Sequence, residues 1–361
     1  MNTIKILIIG LGYAGNRYVK TFDSLENEFP DIAFRYAYVS PSKKNTLLNY
    51  FSTVAQALKY YSPDLVVVSV SDGRHAEVLL ELDGYDGFII CEKPLVNSID
   101  DLSYIYSAMQ NTGGFCMDMV ERYSKITDDL KKFIRENQLK LIRANFIWGK
   151  DRIHDHRSTC GALSEIIHPL DLIEWVLGGK EHLVLSAVIG TDSDFSISGK
   201  HVIDSLAITA QLGESFISGY SSFVNIIRQR TIDFIFSSQD QELIYARMTF
   251  DTPEWDVDHL KLWKHTKKGD EIIKDFTTSF DGASPAFKTI QKLRTQVREI
   301  LLFLIDGLQP QHEFVDVNTS IRLQSMLNNI AHKAQCIGAA KYTVKKHREY
   351  FSENGSLEQL G

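Results

Sequence analysis

The chain has 361 residues, 44% hydrophobic and 24% charged, the composition of an ordinary globular protein long enough for two domains. A formal net charge of −7 argues against a nucleic-acid surface and leaves open only a local basic patch for a small anion. No apolar run approaches the roughly 18 residues of a membrane span. Cys91, Cys116, Cys160 and Cys336 show neither a CxxC pair nor ligand spacing, so they read as reduced thiols of a cytoplasmic protein, with no metal site.

The first element is a fully buried parallel strand, Ile4 to Ile9. Lys5 precedes about ten mostly apolar residues, a superficial likeness to a signal peptide, but the glycine pattern within that longer stretch favours a strand and turn of the mature protein. Gly10-Leu11-Gly12-Tyr13-Ala14-Gly15 follows, and a helix continues from Asn16. Such a strand, turn and helix present free N-terminal amides to a pyrophosphate. Gly10 allows the sharp turn, Gly12 lets the backbone approach the phosphates, and Gly15 lets the helix pack against the strand.

Further strands are predicted at Phe34 to Val39, Leu65 to Val70 and Gly87 to Cys91, with helices at Val54 to Tyr61, Ala76 to Leu82 and Ile99 to Met109. This alternation predicts an α/β domain with a parallel sheet, whose ligands sit outside the carboxyl ends of its strands. After Tyr123 the pattern changes to β-type runs at Lys140 to Trp148, His182 to Gly190, Ser205 to Leu212, Glu214 to Val224, Ile232 to Ser237 and Glu242 to Met248. Helices are expected at Ile126 to Glu136, around Ala162 to Leu177, and at Ile321 to Cys336 behind an Asn318-Thr319-Ser320 cap.

The second domain is therefore α+β with a large, mostly antiparallel sheet. The expected boundaries are 1–122 for the dinucleotide domain, 123–340 for a substrate and oligomerisation domain, and 341–361 for a tail. The helix at 318–337 is placed so that it can pack back on the first domain. The exposed sheet of the second domain predicts a homodimer or homotetramer.

Ser69 to His75 and Cys91-Glu92-Lys93-Pro94 both follow strands at their carboxyl ends, which places Ser71, His75, Glu92 and Lys93 on the cofactor's side. An ammonium such as that of Lys93 can stabilise charge developing on a carbinol oxygen. At the end of the second strand, Ser40 stands where an NAD site places an acidic residue, with Lys43 and Lys44 close behind, and this favours NADP(H) over NAD(H). Glu165, His168 and Asp171 are three residues apart and share a face if helical. Pro169 predicts either a kink there or a helix that starts near His168. Lys150 to Arg157 reads either as a solvated loop or as a substrate rim in which Arg152 or Arg157 holds a phosphate or carboxylate. His154 and His156 lack further ligands for a metal.

Taken in order, Gly10 to Gly15, Ser69 to His75, Glu92-Lys93-Pro94, Glu121-Arg122-Tyr123 and Gly161 to Asp171 resemble the glucose-fructose oxidoreductase, inositol dehydrogenase and rhizopine-catabolism superfamily, Gfo/Idh/MocA, over nearly the full length. The resemblance implies that Lys93 reaches the nicotinamide ribose and the substrate oxygen, that Lys93-Pro94 is cis, and that His168 is a general acid or base. It also implies a carboxylate three or four residues before that histidine. Here those positions hold Glu165 and Ser164, so Glu165, Asp171 or neither orients His168. Tyr123 and the Arg152 to Arg157 loop would align the substrate ring.

The expectation is an NADP(H)-dependent oxidoreductase acting on a CH–OH group of a sugar, a sugar derivative (nucleotide-linked ones included) or a cyclitol, without nucleic-acid or membrane partners. The alternatives are a non-catalytic NAD(P)-binding regulator on the same fold and a dehydrogenase of a non-sugar substrate such as an amino acid or imine.

Overall fold

The computed structural model describes residues 2–43, 47–152, 159–179, 181–192, 202–280 and 288–337, in two compact units. The first unit comprises Met1–Val120 and Pro285–Asn328, and the second Glu121–Ser284 and Asn329–Gly361.

Six parallel strands form the first sheet: β1 (Asn2–Ile9), β2 (Ile32–Val39), β3 (Asn49–Phe51), β4 (Leu65–Val68), β5 (Phe88–Cys91) and β6 (Gly114–Met117). Their order, β3-β2-β1-β4-β5-β6, reverses direction between β1 and β4, and such a switch point is where dinucleotides bind. β4 and β5 are buried along their whole length, as strands covered on both faces must be. The helices between them are α1 (Tyr13–Leu25), α2 (Val54–Tyr61), α3 (His75–Glu81) and α4 (Leu102–Met109). The start of α4 at Leu102, not Ile99, follows from Asp101, whose carboxylate accepts from the Ser103 amide at 2.9 Å and caps the helix there.

The expected division at 122 needs correction, and the tail expected at 341–361 lies outside the described residues. Residues 285–328 belong to the first unit, because α7 (Gln291–Asp306) inserts Leu293, Val297, Ile300 and Leu301 into the apolar core that also holds Ile6, Tyr18 and Phe22. The first unit also gives up Glu121 and Arg122 to the second. α8 (Val317–Lys333) begins in the first unit, and the passage to the second falls within it, after Asn328.

The second unit carries a nine-stranded sheet of order β14-β13-β12-β11-β7-β10-β9-β8-β15. Its strands are β7 (Lys140–Asp151), β8 (Val184–Thr191), β9 (Ser205–Leu212), β10 (Ser215–Ser222), β11 (Val224–Ser237), β12 (Leu243–Thr249), β13 (His259–Thr266), β14 (Gly269–Thr277) and β15 (Gln335–Cys336). The pairing is antiparallel except for β10 with β7 and β15 with β8, so the sheet is mixed.

β11 merges what reads as a strand from Ile232 with the residues back to Val224. A register shift against β7 between Val224 and Gln229 leaves Ile226 and Ile227 exposed. α5 (Lys125–Glu136) and α6 (Leu163–Val176) pack with this sheet, and all fourteen residues of α6 are buried. No described helix is long and apolar enough to cross a membrane, and no cluster of three potential metal ligands occurs among the described residues.

Candidate active site

In the first unit the chain leaves β1 at Gly10 with φ +97°. A Cβ there would lie 2.8 Å from the backbone of Ser69 and Val70, so only glycine fits. At Gly15 a Cβ would meet the Gly10 carbonyl oxygen at 2.3 Å, which ties α1 tightly against the turn. Gly12 faces open space and is the N-cap of α1; no side chain caps the helix and its first turn has no acidic residue.

Uncapped amides, a first turn without acidic residues and room for an approaching group fit a dinucleotide pyrophosphate. Beside the loop, Ser69 Oγ donates to the Gly10 carbonyl at 2.9 Å and links the ends of β1 and β4 across the switch point. Tyr13 is exposed with the Arg17 guanidinium 5.9 Å from its ring centre, and Ala14 is half-buried.

At the end of β2, Ser40 is buried and its carbonyl accepts from the Tyr50 hydroxyl at 3.3 Å. Lys43 is exposed, and Lys44 lies outside the described residues. Ser71 is exposed beyond β4. Glu92 and Lys93 are half-buried beyond β5, the Glu92 amide donates to the Val68 carbonyl at 2.9 Å, and the Lys93-Pro94 peptide is cis.

His75 was expected to face the cofactor, and this too needs correction. It has no exposed surface, and its ring nitrogens lie 2.7 Å from the Pro94 carbonyl oxygen and 3.1 Å from that of Val70. A buried imidazole at these distances braces the loop that carries Lys93 instead of touching a ligand.

The second unit contains a buried network of charges. α6 continues through Pro169 and does not start at His168. It begins after Ala162 and is enclosed on every side, so packing holds the turn that the proline deprives of one backbone bond. His168 Nδ1 lies 2.7 Å from Glu121 Oε2, a close ion-pair approach off the line of an ideal hydrogen bond. Trp148, inward on β7, stacks on the imidazole with ring centres 5.6 Å apart and planes 23° from parallel.

Among the described contacts of the His168 ring, the carboxylate that approaches it is that of Glu121, and the two expected from α6 have other partners. Glu165 approaches Lys150 Nζ at 2.8 Å and Arg230 at 3.5 Å. Asp171 has no exposed surface and is gripped by both arms of Arg122, the Nε bond measuring 2.8 Å, so it presents nothing to a substrate. Tyr123 is buried, Arg152 borders the site's sequence at the end of β7, and Arg157, like His154 and His156, lies outside the described residues.

Arg230 is the hub. Burial opposes its charge, but Asp251, Glu165 and Glu121 together hold its pKa above the ordinary arginine value. Asp251 in turn takes the Asp256 amide on its other oxygen at 2.9 Å. The arrangement can exchange a proton at His168 among charges that are paired and fixed.

Arg230 and Asp251 are the members that motif reading does not single out, while Glu121 and Lys150 stand in stretches it marks without giving either residue a role. One signal was available: Arg230 continues the inward register of Ile232, Phe234 and Phe236, and a charge on an apolar strand face demands partners.

Residues 4–118 match the family described as "Oxidoreductase family, NAD-binding Rossmann fold", Gfo/Idh/MocA. An inositol 2-dehydrogenase of Salmonella typhimurium is 19% identical over 186 residues, 48% of this chain and 55% of that protein. The chain thus spans about half the length of the curated relatives it matches.

Among solved structures, a variant of KijD10, a 3-ketoreductase from Actinomadura kijaniata in complex with TDP-benzene and NADP, superposes with a TM-score of 0.71 at 12% identity, covering 95% of this chain and 100% of that one. An oxidoreductase from Agrobacterium radiobacter in complex with NAD+, L-tartaric acid and magnesium gives 0.67 at 12% identity, covering 92% and 96%. Likeness at these identities establishes the fold.

Proposed function

Since residues 4–118 belong to the NAD-binding Rossmann-fold oxidoreductases of the Gfo/Idh/MocA family, we propose that this protein is an NADP(H)-dependent oxidoreductase acting on a ring carbinol or ketone of a sugar, sugar derivative or cyclitol. The observation that carries the reading is His168, a buried imidazole held between a carboxylate and an indole, which a mere cofactor sensor has no need to maintain. The bound nicotinamide supplies the hydride donor or acceptor. Lys93 stabilises the substrate oxygen, His168 exchanges the hydroxyl proton, and Gly10 to Gly15 hold the pyrophosphate.

Ser40 in place of a carboxylate, with Lys43 exposed behind it, supports the 2′-phosphate of NADP(H) over the free hydroxyl of NAD(H). The reading extends to a homodimer or homotetramer built on the outward sheet face, where Ile147, Phe216 and Tyr220 are exposed.

The test is absorbance at 340 nm with NADP+ or NADPH against a panel of sugars, nucleotide-linked sugars and cyclitols. Lys93→Ala should cut turnover by roughly 100-fold or more while cofactor affinity changes much less. Unchanged turnover in Lys93→Ala rejects the lysine's role. Cofactor binding with no absorbance change on any substrate favours the regulator.

A further inference from the structure

We propose that Glu121, which reaches His168 from the turn after β6, is the positioning residue that fixes the tautomer of His168 and balances the charge the imidazole gains. This rests on the proton-exchange role given to His168 above.

Among the described residues, three carboxylates stand close in the fold, and two are committed elsewhere. Asp171 is held by Arg122, and Glu165 by Lys150 at 2.8 Å with Arg230 at 3.5 Å. Glu121 places Oε2 2.7 Å from Nδ1, while its Oε1 lies 3.4 Å from Arg230 Nη1. Arg230 is anchored by Asp251, so the glutamate is restrained at both oxygens. Trp148 fixes the plane of the imidazole that the carboxylate addresses.

Glu121 and His168 are each almost fully buried, where an ion pair is weakly screened. A carboxylate on Nδ1 selects the tautomer with the proton on that nitrogen and assigns exchange to Nε2. In oxidation of a carbinol, the Nε2 lone pair takes the hydroxyl proton as the O–H bond breaks, and the resulting imidazolium stands against the Glu121 carboxylate. Reduction reverses each step, with the Nε2 proton returned to the oxygen. Such hydrogen bonds commonly tighten only when substrate is in place, in keeping with the off-line approach seen here. Among the described residues, the charges of this network are Glu165 and Asp171 on the same helix as His168, Glu121 and Arg122 after β6, Lys150 on β7, Arg230 on β11 and Asp251 after β12.

Nitrogen-15 spectra of the histidine rings in the full-length protein test this without turnover. The wild-type His168 ring should be protonated at Nδ1 in its neutral form, and a neutral ring protonated at Nε2 would overturn the proposal even if no variant folds. In Glu121→Gln, the His168 titration should move to lower pH and turnover should fall about ten-fold or more with little change in substrate KM. An unmoved titration in a folded Glu121→Gln protein also overturns it. If the spectra show the coupling but no substrate changes absorbance at 340 nm, the positioning stands and the hydride-transfer reading alone fails.

Discussion

Asp171 and Arg122 are both sealed from solvent, and their two-pronged contact satisfies a guanidinium that would otherwise sit charged in the interior. Replacing such a buried pair with apolar groups can be neutral, whereas removing one partner strands the other. Asp171→Asn should therefore cost about 3 to 5 kcal/mol of stability in urea unfolding. A loss below about 1 kcal/mol would mean that Arg122 finds another anion.

At this scale the sequence was informative about residue type and silent about partner. His168 and Lys93 stand out by motif. Whether Glu165, Asp171 or Glu121 meets the histidine depends on contacts between residues far apart in the chain, and no local spacing encodes them. His75 shows the converse: its position beyond β4 suggested a ligand contact, and two backbone carbonyls took it instead.

Among the elements, those with strong periodicity were legible: β1, α2, β9 and α5 fall within a residue or two of where pattern and caps put them. α7 carries a helical signal too, with Leu293, Val297, Ile300 and Leu301 on one face, but that period does not say which sheet they cover. β3 and β15 are three- and two-residue strands at the sheet edges, too short for any pattern. β14, the other edge, is almost wholly exposed and so lacks the alternation of a half-buried strand. If α7 is part of the first core, Ile300→Ala, at a site with no exposed surface, should destabilise by about 2 to 5 kcal/mol. Loss of cofactor affinity should accompany that destabilisation near the unfolding midpoint. Urea titration with and without NADPH checks this, and a change under 1 kcal/mol would separate α7 from that core.

For the molecule as a whole, the dinucleotide cradle couples stability to cofactor. A ligand that binds only the folded chain at 100 times its Kd adds about 2.7 kcal/mol, so NADPH should raise Tm more than an equal concentration of NADH. A larger rise with NADH would reverse the cofactor preference drawn from Ser40 and Lys43. The Rossmann class of the first sheet and the change to a second, sheet-rich unit were readable from the alternation of strands and helices; the strand order was not. The helix at 318–337 was expected to be able to pack back on the first domain, but the return of α7 was not foreseen, because which core a helix joins is a property of tertiary packing and leaves no local mark.

That return has a consequence for how the protein is made. The core beneath β1 and α1 stays open until α7 has been synthesised, after the whole of 121–284. A nascent chain must therefore shelter the apolar surface of Tyr18, Phe22 and their neighbours while the intervening unit emerges, and a fragment ending at residue 120 would carry that surface bare, inviting aggregation.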